Sequence, residues 1–76
     1  MGGREIIHSK HAVNGILIYG ITEDNVERAI REGERIAEGK SRARYVLRTG
    51  KSVLIAICSE YPDLKEVITV MVRRRR

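Results

Sequence analysis

The apolar residues fall in periodic blocks, and the period changes partway along the chain. Glu5-Ile6-Ile7-His8 is a short apolar stretch with the makeup of an edge strand. Ser9 follows it, where a helix N-cap accepts hydrogen bonds from orphan backbone N–H groups. From about Lys10 to Tyr19, Ala12, Val13, Ile16 and Leu17 recur at spacings of three and four, which predicts a first helix with these residues on its core face. Gly15 inside that helix costs about 1 kcal/mol against Ala. Gly20 suits the left-handed conformation that ends a helix, Ile21 staples the turn, and Thr22 caps a second helix carrying Glu23 and Asp24 in its first turn. The stripe Val26, Ala29, Ile30, Gly33, Ile36 and Ala37 predicts that this second helix continues to Gly39, with Glu34 and Glu38 on its solvated side.

After Gly39 the pattern becomes that of strands. Apolar and basic residues alternate over Arg42–Arg48, as on a half-exposed strand. Thr49-Gly50-Lys51 turns into Val53–Cys58, which is apolar throughout and reads as a central strand. Pro62-Asp63 marks the next turn, and Val67–Val72 is a third strand, ending at Arg73-Arg74-Arg75-Arg76. The expected fold is a single α+β domain of order β-α-α-β-β-β over residues 1–76: two N-terminal helices packed on an antiparallel sheet of three to four strands. Two helices do not cover both faces of such a sheet. The leftover apolar face predicts either a homodimer or an N-terminal strand that widens the sheet.

Composition narrows this picture. In 76 residues there is room for one core, built from Ile, Val, Leu and Ala because the only aromatics are three tyrosines. The single cysteine, Cys58, excludes an intrachain disulfide and reads as a small buried hydrophobe. No apolar run approaches the roughly 20 residues of a membrane span, and Met-Gly-Gly-Arg-Glu lacks the layout of a signal peptide, so a cytoplasmic location and no membrane partner are expected. The Glu-, Arg- and Ile/Val-rich makeup, without Gln, is compatible with a thermophilic source. A net charge of +5 favours polyanionic partners.

That charge is unevenly placed. Arg42, Arg44 and Arg48 share one face of an unbulged strand, and over about 20 Å three guanidiniums can bind successive phosphates; Lys51 extends the row. The same basic face can also keep an exposed strand soluble. Tyr45 faces the other way, towards the helices, whereas Tyr19 and Tyr61 are freer to stack on a base or bond a phosphate. Ser9, Lys10 and His11 open a helix whose N–H groups can hold an anion, although capping alone accounts for them. His8 and His11 straddle the helix start without a third ligand nearby in sequence, so no metal site and no cofactor are expected. Arg73 directly follows Val72 and is held by the strand; the rest of the arginine run reads as a solvated tail. Nothing has the spacing of a phosphate loop, a Ser/His/Asp set or a carboxylate metal cluster. The chemistry left open is metal-free phosphodiester cleavage by Arg, Lys, His or Tyr, with the RNA 2′-hydroxyl as nucleophile.

The run His8-Ser9-Lys10-His11-Ala12, continued by Leu17-Ile18-Tyr19-Gly20-Ile21-Thr22 and on to Ile30, with strands ending in Val67-Ile68-Thr69-Val70, resembles a family of small prokaryotic proteins. The family pattern is Ser-x-His-Ala-x-x-Arg-Met-x-x-Arg-Gly-Ile. That family is known as a domain of unknown function and is similar to the RelE/ParE and BrnT toxins of toxin–antitoxin pairs. Ser9, His11, Ala12, Gly20 and Ile21 match the pattern, but Gly15-Ile16 stand in place of Arg-Met and Tyr19 in place of the second Arg. The resemblance implies two helices on an antiparallel sheet, an antitoxin protein as partner and, for the RelE and BrnT branch, metal-independent cleavage of mRNA, free or ribosome-bound. With two helix arginines missing, the residues left for catalysis are His11, Tyr19, Arg48 and Arg73, and those for RNA binding are Lys10, Arg42, Arg44 and Lys51. The competing expectation is a non-enzymatic module that makes a homodimer or docks a partner through the sheet, and a third is a relative that keeps the fold without the chemistry.

Overall fold

The computed structural model describes residues 5–74. The elements are β1 (Glu5–His8), α1 (Lys10–Tyr19), α2 (Glu23–Glu32), β2 (Glu34–Ala37), β3 (Arg42–Arg48), β4 (Ser52–Glu60) and β5 (Leu64–Arg74). The strands form one sheet in the order β1-β5-β4-β3-β2. It has five strands, where three to four were expected. It is also mixed, because β1 pairs with β5 in parallel while every other pairing is antiparallel. Arg75 and Arg76 of the arginine run lie outside the described residues.

The additional strand is β2, which occupies the second half of the expected second helix. Ile36 and Ala37 fit a helical stripe and a strand equally well in so short a run. The decision is made at Gly33, whose backbone lies so close to β3 that an added Cβ would stand 2.5 Å from the Ala29 carbonyl oxygen and 2.7 Å from that of Val46. The chain leaves the helix there and runs antiparallel to β3, with Glu34 opposite Val46 and Ile36 opposite Arg44. This pairing satisfies backbone groups on β3 that would otherwise form an open edge. Ile36 therefore lies on the surface, 41% exposed, and does not join the core.

Both helices pack on one face of the sheet. Ala12 and Ile16 of α1 and Val26 and Ile30 of α2 meet Ala43 and Tyr45, Ala56 and Cys58, and Val67 and Val70, with Ile6 and Ile21 at the margin. Ser9 joins α1 to the sheet: its hydroxyl accepts from the Ala12 N–H at 3.1 Å and donates to the Ile68 carbonyl at 3.2 Å. Ile68 is the extra residue of a bulge, where the β4–β5 register shifts between Ile57 and Cys58. Gly20, at φ 68°, closes α1, and Thr22 with Asn25 forms the capping box of α2.

α1 approaches β5 through Gly15, where a Cβ would stand 2.6 Å from a Val70 methyl. The contact face is thus Ala12, Gly15 and Ile16. Leu17, expected in the core, is rotated outward and 73% exposed, with Ile18 beside it at 79%.

Candidate functional site

Among the described residues, no element covers the face opposite the helices. The β3–β4–β5 register places Arg42, Arg44, Val46 and Arg48 on it, with Val53, Ile55 and Ile57 of β4 and Thr69, Met71 and Arg73 of β5. β2 contributes Glu34 and Ile36 at its margin, and Glu38 follows directly after the strand. Arg44 Nη2 lies 2.8 Å from Glu38 Oε2, and Arg48 Nη1 lies 3.2 Å from Glu34 Oε1. The row of cations is therefore partly neutralised, and the Arg44 Nε is buried without a partner. Among the described residues, neither Arg42 nor Arg73 has a carboxylate partner.

Arg48 and Arg73 are both opposite Val53, one on each side of β4, so they stand in one row across the sheet, two strand spacings or about 10 Å apart at the backbone. Lys51 is exposed in the β3–β4 turn beside this row. His11 and Tyr19 come from the two ends of α1 and share a groove of about 260 Å³ with Asn14, Ile18, Thr69 and Met71. That groove adjoins the uncovered face through Thr69 and Met71, and Arg73 is the next residue of β5 on that face. Lys10 is exposed at the start of α1 and does not line the groove. Tyr45 is buried against the helices, and Tyr61 is exposed in the β4–β5 turn.

A second cluster lies on the helix side of the sheet, and sequence reasoning missed it. Arg35 of β2 grips Glu60 of β4, with Nη2 2.5 Å from Oε1 and Nε 3.4 Å from Oε2. Tyr45 donates its hydroxyl to Glu60 and accepts from Lys65 Nζ at 2.9 Å, and Lys65 also stands 4.9 Å above the Tyr45 ring. The hydrogen bond from Arg35 draws the Glu60 carboxyl down to about 2 against the opposing effect of its burial, and the Tyr45 hydroxyl adds to the lowering. Every member has a partner, so the cluster ties β2, β3, β4 and β5 together and leaves no group free for proton transfer. No sequence signal marks it: the four residues are scattered, and only the strand register joins them. Cys58 lies just beneath, and burial pushes its thiol up to about 11, away from the reactive thiolate.

No protein-family model matches the chain, and neither does any curated protein or solved structure. Among the described residues, no helix is long and apolar enough to cross a membrane.

Proposed function

We propose that the chain is a RelE-like nucleic-acid-binding protein that holds a single RNA strand across the uncovered sheet face. The observation that supports this most is that Arg42, Arg44 and Arg48 of β3 and Arg73 of β5 share that face. The row spans about 20 Å along β3, long enough for several successive phosphates. The glutamates that pair with Arg44 and Arg48 do not weigh against it, because exposed ion pairs contribute only about 0–1 kcal/mol and give way to a phosphate dianion or diester. His11 and Tyr19 flank the same face, so a strand lying on the arginines passes the groove where a base can stack on Tyr19. In a ribonuclease version of this reading, His11 takes the proton of the attacking 2′-hydroxyl, the P–O5′ bond breaks to leave a 2′,3′-cyclic phosphate, the departing 5′-oxygen takes a proton from Tyr19 or water, and Arg48 and Arg73 stabilise charge on the phosphate. A cognate antitoxin would silence such an enzyme by covering the same face.

The test is fluorescence anisotropy with a labelled single-stranded RNA over a salt series, and gel analysis of cleavage with EDTA present. Binding is expected to weaken steeply with salt, and Arg48→Ala with Arg73→Ala should each lower the slope of log K against log[salt] by roughly 0.7. Affinity unchanged by both substitutions would overturn the reading.

A second reading is favoured by the apolar centre of the same face, Val53, Ile57 and Met71, with Ile36 of β2 exposed at its margin and Ile18 exposed in the adjoining groove. On that reading the face makes a homodimer or docks a protein, and the arginines form its polar rim.

A further inference from the structure

The helix side of the molecule carries a group of side chains that neither the RNA-binding reading nor the core uses. His8, the last residue of β1, points its ring between the sheet and α2, and its side chain is only 8% exposed. Nε2 faces Glu27 Oε2 at 3.4 Å. Among the described residues, Nδ1 is buried without a hydrogen-bond partner. Glu23, one helical turn before Glu27, brings a second carboxylate, and one ligand atom from each of His8, Glu23 and Glu27 lies within 4.8 Å of the others.

We propose that His8, Glu23 and Glu27 form a binding site for a divalent transition cation of the Zn²⁺ type, which fastens β1 to α2. The separation of His8 and Glu27 is the first argument. A charge-assisted N–H···O⁻ bond closes to about 2.7–2.9 Å, and this pair stands well outside that. Two donors bound at about 2.0–2.2 Å to one tetrahedral ion are about 3.3–3.6 Å apart, which is where Nε2 and Oε2 lie. The second argument is the imidazole itself. It is more than nine-tenths buried and its Nε2 is aimed at the carboxylates. When the proton resides on Nδ1, the Nε2 lone pair confronts the Glu27 oxygen, and a cation between them turns that repulsion into two bonds. The third is the donor set: one imidazole nitrogen and two carboxylates suit Zn²⁺, with a water completing four ligands, and offer Mg²⁺ too few oxygens. Glu23 is exposed in the first turn of α2 and free to swing onto the ion, while Glu27 has only a 3.9 Å contact with Arg31 to give up.

The site is separate from the proposed RNA surface, because His8 sits opposite Val67, on the side of the sheet that faces the helices. Its role is structural: β1 has four residues and one neighbouring strand, and an ion would anchor it to a helix.

The experiment is calorimetric titration of the apo-protein with Zn²⁺ and with Mg²⁺, together with thermal unfolding and the visible spectrum of the Co²⁺ form. One Zn²⁺ per chain, a raised unfolding temperature and the intense Co²⁺ bands of a tetrahedral site are expected, with no response to Mg²⁺. Glu23→Gln, a surface change that leaves the fold intact, should weaken Zn²⁺ by about 10–100-fold or more, since even a lost second-shell partner costs that much. Glu27→Gln should do the same, and His11→Ala should leave binding unchanged. No saturable Zn²⁺ binding, affinity indifferent to both Glu23→Gln and Glu27→Gln, or binding that disappears in His11→Ala would overturn the proposal and leave His8 and Glu27 as a simple hydrogen-bonded pair.

Discussion

Glu60 shows how much one side chain can gather in so small a protein. Its carboxylate receives Arg35 from β2 and Tyr45 from β3, with Lys65 of β5 3.7 Å away. These contacts hold its pKa at about 2, against an ordinary value of 4.5. The unfolded chain therefore binds a proton at Glu60 in a range where the folded chain does not. The stability this supplies is complete above about pH 4.5 and is lost as pH falls towards 2. Urea unfolding at pH 7, 4 and 2.5 should show that loss, and Glu60→Gln should have lower stability at pH 7 with a flatter acid limb. Equal acid limbs in the two proteins would mean that Glu60 is not the group responsible. Nothing local in the sequence marks the arginine behind this shift, because the apolar stripe through Ile36 and Ala37 has the period of a helix and gives Arg35 no strand neighbour.

At the scale of elements, two glycines set how closely the layers approach. Intrinsic helix propensity would have Gly15→Ala stabilise α1 by about 1 kcal/mol. The structure predicts the opposite sign, because the new Cβ would stand 2.6 Å from a methyl of the buried, stiff Val70 side chain. A net destabilisation of about 1–3 kcal/mol is expected in chemical denaturation. Gly33→Ala should be worse, since the atoms in its way are backbone carbonyls of Ala29 and Val46, which no rotamer change can move. If Gly15→Ala proves more stable than the natural chain, α1 does not pack on β5 as closely as described. The helix starts and the end of α1 were legible in the sequence because caps are local chemistry: Ser9, Gly20 and Thr22 act on atoms within a few residues. The end of α2 was not, because the signal there is the distance from Gly33 to a strand that comes later in the chain.

For the whole molecule, the decisive feature is that both helices fall on one side of a five-stranded sheet. The other side presents an apolar centre with an arginine row; on the two readings proposed for it, either RNA or a second copy of the chain would occupy it, and if both bind there they would compete. Light scattering with chromatography is expected to show concentration-dependent self-association that added RNA reverses. Met71→Asp should abolish the self-association, because Met71 lies on the uncovered face. A dimer that survives Met71→Asp would place the interface elsewhere. What the residues alone determined is the class of the fold, the helix caps at Ser9, Gly20 and Thr22, the alternation that sets Arg42, Arg44 and Arg48 on one side of β3, and the burial of Tyr45 and Cys58; each follows from a period or a cap within a few residues. What only the tertiary structure decided is the strand at Glu34–Ala37, the parallel pairing of β1, the Glu60 network and the meeting of His8 with Glu27. Those depend on which backbone edges remain unpaired once the sheet has formed, and on contacts between residues far apart in the chain, which no local periodicity encodes.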